Sequence, residues 1–465
     1  MAKHHLFVAL AALPALAQPA RIAADPRIEL LSIVFHLAGN NEYNQCRLPS
    51  YCEDIDKYFA PFKDDETVRL ARELNQKHGI NYDAVMTYAI YIKDVDSIAE
   101  RVDFDGANIT LKERWRAADA RRFAASLRGF VARSKFRQFF DEHSALYETT
   151  GARLRKFVES QADLTWFDKF FGAKPDARFI VVPGMVNGGA NYGSRLRAED
   201  GREEMYAIIG VWQVDSDNLP LFDKNYLPTL VHEFTHSYVN PLVDRFKALD
   251  KAGDAVMKPV EAEMRGQAYG TGHTVACESL VRASTARYIF AHDGEAAGRR
   301  DIAYELNRAF LWTGELSDLL ASYEADREHY PSLEAFMPKV VAYFEKLAPR
   351  VPELMKDFDA KRPKLVSMTP ANGARDVDPA TTRVVLKFDR PLRGGYSFCY
   401  TDDRSLFPKF GKMAFNNEKT TFDMEVQFEP GRDYEFRFNC NGGFASQEGI
   451  PVKQETVKWH TRAAP

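Results

Sequence analysis

Near residue 362 the spacing of apolar side chains changes from three-and-four to two, so one chain carries two incompatible periodicities. Upstream, stretches such as Thr67-Val68-Arg69-Leu70-Ala71-Arg72-Glu73-Leu74 and Phe130-Val131-Ala132-Arg133-Ser134-Lys135-Phe136 keep their apolar residues on one face of a helix. Downstream of Lys364, Val384, Val385, Leu386 and Phe388, then Phe422, Met424, Val426 and Phe428, then Tyr434, Phe436 and Phe438 alternate as half-buried strands do, with turn signals at Asn372-Gly373 and Pro430-Gly431. A helical pattern is not satisfied by strands, nor the reverse. The expectation is a helix-rich domain over 18–362 and an all-β sandwich over 363–465, with Pro349, Pro352, Pro363 and Pro370 punctuating the junction.

The amino end carries a different instruction. Lys3, His4 and His5 precede an apolar run from Leu6 to Leu16, and Ala15-Leu16-Ala17 supplies the small residues that a signal peptidase requires. Residues 1–17 are therefore read as a signal peptide and the protein as secreted or periplasmic. The run is shorter than the roughly 20 apolar residues that cross a bilayer, and no later stretch reaches that length, so no membrane span is expected. A net charge of −4 without a basic block excludes a nucleic-acid footprint. Five cysteines suit an oxidising compartment. Cys46 and Cys52 could close a small loop and Cys399 and Cys440 could bridge two strands, which leaves Cys277 among apolar helix residues.

Within the first domain, Arg27 to Ala38 fits either a strand or a buried helix. Phe179-Ile180-Val181-Val182 has the composition of a buried strand closed by Pro183-Gly184, and a glycine-rich segment from Asn187 to Gly193 follows. A polar turn over Ala198 to Glu204 and an apolar return over Met205 to Trp212 complete a hairpin just before the segment that carries the chemistry.

That segment is His232-Glu233-Phe234-Thr235-His236. Histidines four apart share one face of a helix, so both imidazoles can reach one metal ion. The residue after the first histidine then projects beside the metal, where a carboxylate can take the proton of an activated water. Glu233 holds that place. Leu227, Leu230, Val231, Phe234 and Tyr238 give the helix an apolar face, Asp223 or Asn225 can cap it, and Asn240-Pro241 is expected to stop it.

The third ligand must come from elsewhere. A second histidine-bearing turn would need a glycine at 239 and a histidine at 242, and the chain has Val239 and Leu242. Glu278, a lone acid within the apolar helical stretch Val275-Ala276-Cys277-Glu278-Ser279-Leu280-Val281, is the preferred ligand, with His273 as its competitor. Tyr269 or His273, in the glycine-flanked segment Tyr269-Gly270-Thr271-Gly272-His273, could donate a hydrogen bond to the oxyanion formed on amide attack. The segment from Gly189 to Arg195 is expected to line a substrate groove. His36, His143, His292 and His329 have no ligand-like company and are read as structural.

HEFTHSYVNP followed by a helical Glu278 resembles the gluzincin group of zinc peptidases, in which two histidines and a helical glutamate hold the metal. Gluzincins usually carry an acid four residues after that glutamate, where this chain has Arg282; the position of Tyr269 is similar to that of their assisting tyrosine. RIELLSIVFHLAGNNEYN and VHEFTHSYVNP resemble, over about residues 27–350, a family of secreted bacterial proteins of presumed metallopeptidase type. PANGARDVDPATTRVVLKFDRPL is similar to the Ig-like modules of bacterial surface proteins.

The resulting expectation is an α+β chain: a helix-rich, zincin-like catalytic domain followed by an Ig-like sandwich. His232, His236 and Glu278 hold Zn2+, Glu233 serves as general base with Tyr269 assisting, and the substrate is a peptide or protein. The sandwich would supply contact with a cell surface. The competing expectation is a secreted surface- or partner-binding protein whose zinc is structural or vestigial; Glu233, useless to a closed structural site, favours the peptidase.

Overall fold

The computed structural model describes residues 20–106, 111, 114–172 and 177–463. The expected signal peptide, 1–17, lies outside them. Among the described residues no helix is long and apolar enough to cross a membrane. The chain divides into two compact units, 1–242 with 328–335, and 243–327 with 336–465. The periodicity change is visible in the elements themselves, since the last helix, Val351–Lys361, gives way to strands at Leu365.

The first unit is built round a four-stranded sheet of β1 (Arg21–Ile22), β2 (Arg178–Gly184), β3 (Tyr192–Arg197) and β4 (Glu203–Gly210). Its order is β1-β2-β4-β3, with β1 and β4 parallel to β2 and β3 antiparallel to β4. The hairpin expected before the metal-site helix is β3–β4, and β3 forms an edge. Parallel pairing buries β2 and β4 along almost their whole length, which explains their unbroken apolar runs. The ambiguous segment after Asp25 is a helix, Pro26–Ala38. Asp25 caps it, Pro26 opens it and Gly39 closes it in the left-handed region; apolar residues on nearly every side had concealed the helical period. Cys46 and Cys52 are disulfide-bonded.

The helix carrying the HEFTH segment spans Leu227–Arg245, which corrects the expected stop at Asn240-Pro241. Proline removes one helical hydrogen bond, but Val239, Leu242 and Val243 on either side of it are buried, and packing carries the helix through. Asp223 caps the preceding short turn Lys224–Tyr226 rather than the helix itself.

In the second unit the helices Ala248–Met257 and Gly272–Asp293 are followed by further helices and then by the β region. There β5 (Leu365–Thr369), β6 (Arg383–Phe388), β7 (Phe398–Cys399), β8 (Lys409–Phe415), β9 (Thr421–Gln427), β10 (Asp433–Phe438) and β11 (Glu455–His460) form two sheets, β5-β6-β9-β8 and β11-β10-β7. Inward residues Val384, Leu386, Phe422, Met424, Phe436, Phe438, Val457 and Trp459 fill one core, as the alternation demands. Cys399 and Cys440 are bonded, and Cys277 is the cysteine left out of either bond. Asn307 donates to the Gly449 carbonyl and Arg362 to that of Pro451, so this unit ties helices to the sandwich.

Candidate metal centre

The HEFTH helix is held from its back. Phe234 and Tyr238 stack into an aromatic cluster with Phe167, Phe171 and Phe179, at centroid distances from 4.6 to 5.9 Å. Leu227, Leu230 and Val231 are buried with them. That arrangement fixes the rotation of the helix and so the direction in which His232 and His236 point.

The two imidazoles converge. Their Nε2 atoms are 3.2 Å apart. Two nitrogens bound tetrahedrally to one zinc at about 2.0–2.1 Å stand about 3.3 Å apart, so the spacing is that of a ligand pair. His236 Nδ1 lies 3.2 Å from Asn240 Oδ1. An amide oxygen only accepts, so Nδ1 carries the proton and Nε2 presents its lone pair. Glu233, between them in sequence, is buried.

Strand β3 lies directly against this turn. A β-carbon on Gly193 would stand 2.1 Å from the Glu233 carbonyl oxygen and 3.1 Å from His236 Cβ. Gly193 therefore serves the approach of strand to helix. Burial first, and then the carboxylates of Glu42, Asp83 and Glu233, push the hydroxyl of Tyr192 far above its ordinary pKa. Tyr192 is thus a neutral group within the field of Glu233.

Glu278 is buried on the helix Gly272–Asp293. Its Oε2 accepts from Arg282 at 2.9 Å, one turn later, and Arg282 also bonds Glu305 and donates to the Tyr269 hydroxyl at 2.9 Å. Burial opposes the charge of Arg282, but Glu305 and Glu278 outweigh it and hold its pKa above the usual value. Its guanidinium also covers the Phe310 ring at 4.4 Å. Four residues after Glu278 this chain thus has a cation that orients the glutamate itself. Tyr269 is raised by burial and by Glu278, with Arg282 and Arg308 acting against the rise. It accepts from both arginines, which makes it part of the support of Glu278.

One ligand atom each from His232, His236 and Glu278 lies within 4.8 Å of the others. His273 is engaged elsewhere, with Asp250 and Asp244. It also sits inside a helix rather than in a loop, a correction traced to Thr271, whose side chain caps that helix at the Thr274 amide. His36, His143 and His292 bond backbone carbonyls, in keeping with structural roles. Asn240 and Arg282 were missed as supporting residues; each lies four residues after the group it holds, and that spacing was the available signal.

Comparison with known proteins bears on family and not on chemistry. Residues 21–343 match the model of a domain of unknown function, DUF4932, and residues 359–460 that of a bacterial Ig-like domain. No curated protein matches the chain. Among solved structures, domains 1–6 of the surface-layer protein SbsC share 14% identity over 51% of this chain and 34% of that one, with a TM-score of 0.17. The N-terminal part of SbsC shares 15% over 50% and 58%, with a TM-score of 0.16. The chain covers less than two thirds of either, and at such scores the likeness carries no argument. With the first model matching well over half its length, this chain belongs to the DUF4932 family and carries a bacterial Ig-like domain after it.

Proposed function

We propose that the protein is an exported zinc-dependent peptidase in which His232, His236 and Glu278 hold the metal. The observation that carries this reading is the Nε2 pair 3.2 Å apart, with Asn240 fixing the tautomer of one of them. The donor set suits zinc: two neutral imidazoles and one carboxylate balance its charge and leave a fourth place for water. Zinc held there would act as a Lewis acid and lower the pKa of water towards about 7.

Glu233 would be the group placed to take a proton from a water held there and to return it to the leaving amine. Arg282 donates to Glu278 and aims its carboxylate, and Asn240 keeps His236 from turning. Strand β3 is the sheet edge beside Glu233, and an extended peptide could add to it through main-chain hydrogen bonds. Peptide hydrolysis is favoured on that ground. A structural zinc would leave Glu233 without a task.

The test is incubation of the purified protein with a diverse peptide library, with and without a chelator, followed by mass spectrometry, alongside the Glu233→Gln variant. Cleavage that chelation abolishes, and that Glu233→Gln loses by at least a thousandfold while retaining zinc, is the expected result. Retained zinc in both His232→Ala and His236→Ala would overturn the metal assignment. Normal turnover by Glu233→Gln would overturn the mechanism.

A further inference from the structure

Beyond Arg282 a second guanidinium stands near Glu278, and its surroundings differ in kind. Arg308 directly follows the helix Glu295–Asn307, where its amide bonds the Glu305 carbonyl. A helix end favours a cation, but this side chain does not turn back to the carbonyls of that end. It reaches instead to the segment before the helix Gly272–Asp293. There Nε donates to Gln267 Oε1 at 2.9 Å and Nη2 to the Tyr269 hydroxyl at 3.4 Å. The Gln267 amide returns a bond to the Arg308 carbonyl at 3.0 Å, so the two residues hold each other. The guanidinium also lies 5.8 Å from the centre of the Tyr304 ring, a side chain that is 58% exposed.

Each of these partners is neutral. Among the described residues no carboxylate stands within ion-pairing distance of Arg308, whereas Arg282 is shared by Glu278 and Glu305. An arginine carries five donors in a rigid fork that matches a carboxylate, and Gln267 and Tyr269 use only two of them. Nη1 meets no acceptor among the described residues, and the side chain is only half-buried. Its position relative to the metal ligand then suggests what it meets. Contacts of 2.9, 2.9 and 3.4 Å run from Glu278 Oε2 through Arg282 and the Tyr269 hydroxyl to Arg308 Nη2. An extended peptide advances about 3.3–3.6 Å per residue, so a carboxylate one or two residues from a scissile carbonyl lies at a comparable remove.

Resting on the peptidase reading above, we propose that Arg308 determines specificity by binding a substrate carboxylate one or two residues beyond the scissile bond. That carboxylate is a free C-terminus or the side chain of Asp or Glu. Gln267 and Tyr304 hold the fork in place. Arg282, already paired with two carboxylates, does not compete for the substrate.

The probes are three pools of random peptides about six residues long. One lacks Asp and Glu and has a free C-terminus, one lacks Asp and Glu and is amidated, and one is amidated but contains Asp and Glu. Each is passed over immobilised Glu233→Gln protein supplied with zinc, and the retained fraction is read by mass spectrometry. At least one carboxylate-bearing pool should be retained about tenfold or more over the carboxylate-free pool, as a charge-assisted bidentate pair requires. The pool that is retained identifies the source of the carboxylate. Adding Arg308→Gln should abolish the preference and leave zinc content unchanged, and Arg308→Lys should keep part of it. Equal retention of the three pools, no retention of any, or a preference that survives Arg308→Gln would overturn the proposal. So would a loss equal for all pools in Arg308→Gln, the mark of a purely structural residue. Failure of the peptidase reading shows separately, as pools retained with the expected preference that the wild-type protein leaves intact.

Discussion

Gly193 has no side chain because the carbonyl oxygen of Glu233 occupies its place: a β-carbon there would lie 2.1 Å from that oxygen. The edge strand and the metal-site turn are thus in backbone contact, and whatever moves one moves the other. Gly193→Ala should destabilise the protein by about 3 kcal/mol or more, at the upper end of overpacking costs, since backbone rather than a flexible side chain must yield. Zinc affinity should fall with it. Denaturant unfolding and chelator competition measure the two, and a variant with normal stability and only a raised KM for long peptides would return Gly193 to the groove.

Arg282 joins Glu278, Glu305 and Tyr269 at a position 1% exposed. Removing one member of a buried ionic group costs about 3–5 kcal/mol, because the partners remain charged and unpaired. Arg282→Met should therefore lose stability on that scale, and Arg282→Lys should recover little of it, since an ammonium lacks the fork that reaches two carboxylates. Thermal unfolding of both variants tests the network. Equal stability of wild type and Arg282→Met would refute it.

Asn240 supports His236 through Nδ1. Losing such a partner typically weakens metal affinity by about 10- to 100-fold while leaving the ligands in place. Asn240→Ala should bind zinc more weakly in that range, and Asn240→Asp should restore or exceed wild-type affinity. Competition with a chromophoric chelator gives the numbers.

Glu29 is fully buried beneath the sheet, where it accepts from Tyr51 and from the Met185 amide. Burial raises its pKa to about 7, against the two hydrogen bonds. The folded state therefore holds this proton more tightly than the unfolded one. Its contribution to stability is complete below about pH 4.5 and is lost as pH rises to about 7, by roughly 3 kcal/mol for a shift of this size. Glu29→Gln should remove that slope between pH 4.5 and 7 and be the more stable protein at pH 8. Parallel pH profiles of the two proteins would show that Glu29 titrates normally.

The sequence was most legible where one periodic pattern served one packing task. Leu227, Leu230, Val231, Phe234 and Tyr238 announced a helix with one buried face, and the alternation from Val384 to Trp459 announced two facing sheets. It was least legible where distant backbone decided the matter. The glycines beside His273 read as a loop because their cause, contact with Gly253, lies on another helix. Pro241 read as a stop because the packing that carries the helix past it is tertiary. Arg282 was visible only as a departure from a pattern, since its partner Glu305 lies 23 residues away.

Strand β1 pairs in parallel with β2, Arg21 beside Ile180 and Ile22 beside Val181. A chain made from its amino end delivers this strand first and its partner only after most of the first unit has followed. The central strand β4 comes later still. The sheet beside the HEFTH helix therefore cannot close early in synthesis. Until Gly210 has been made, the leading segment has an unfilled edge, and a delay at that stage would leave it open to capture by other chains.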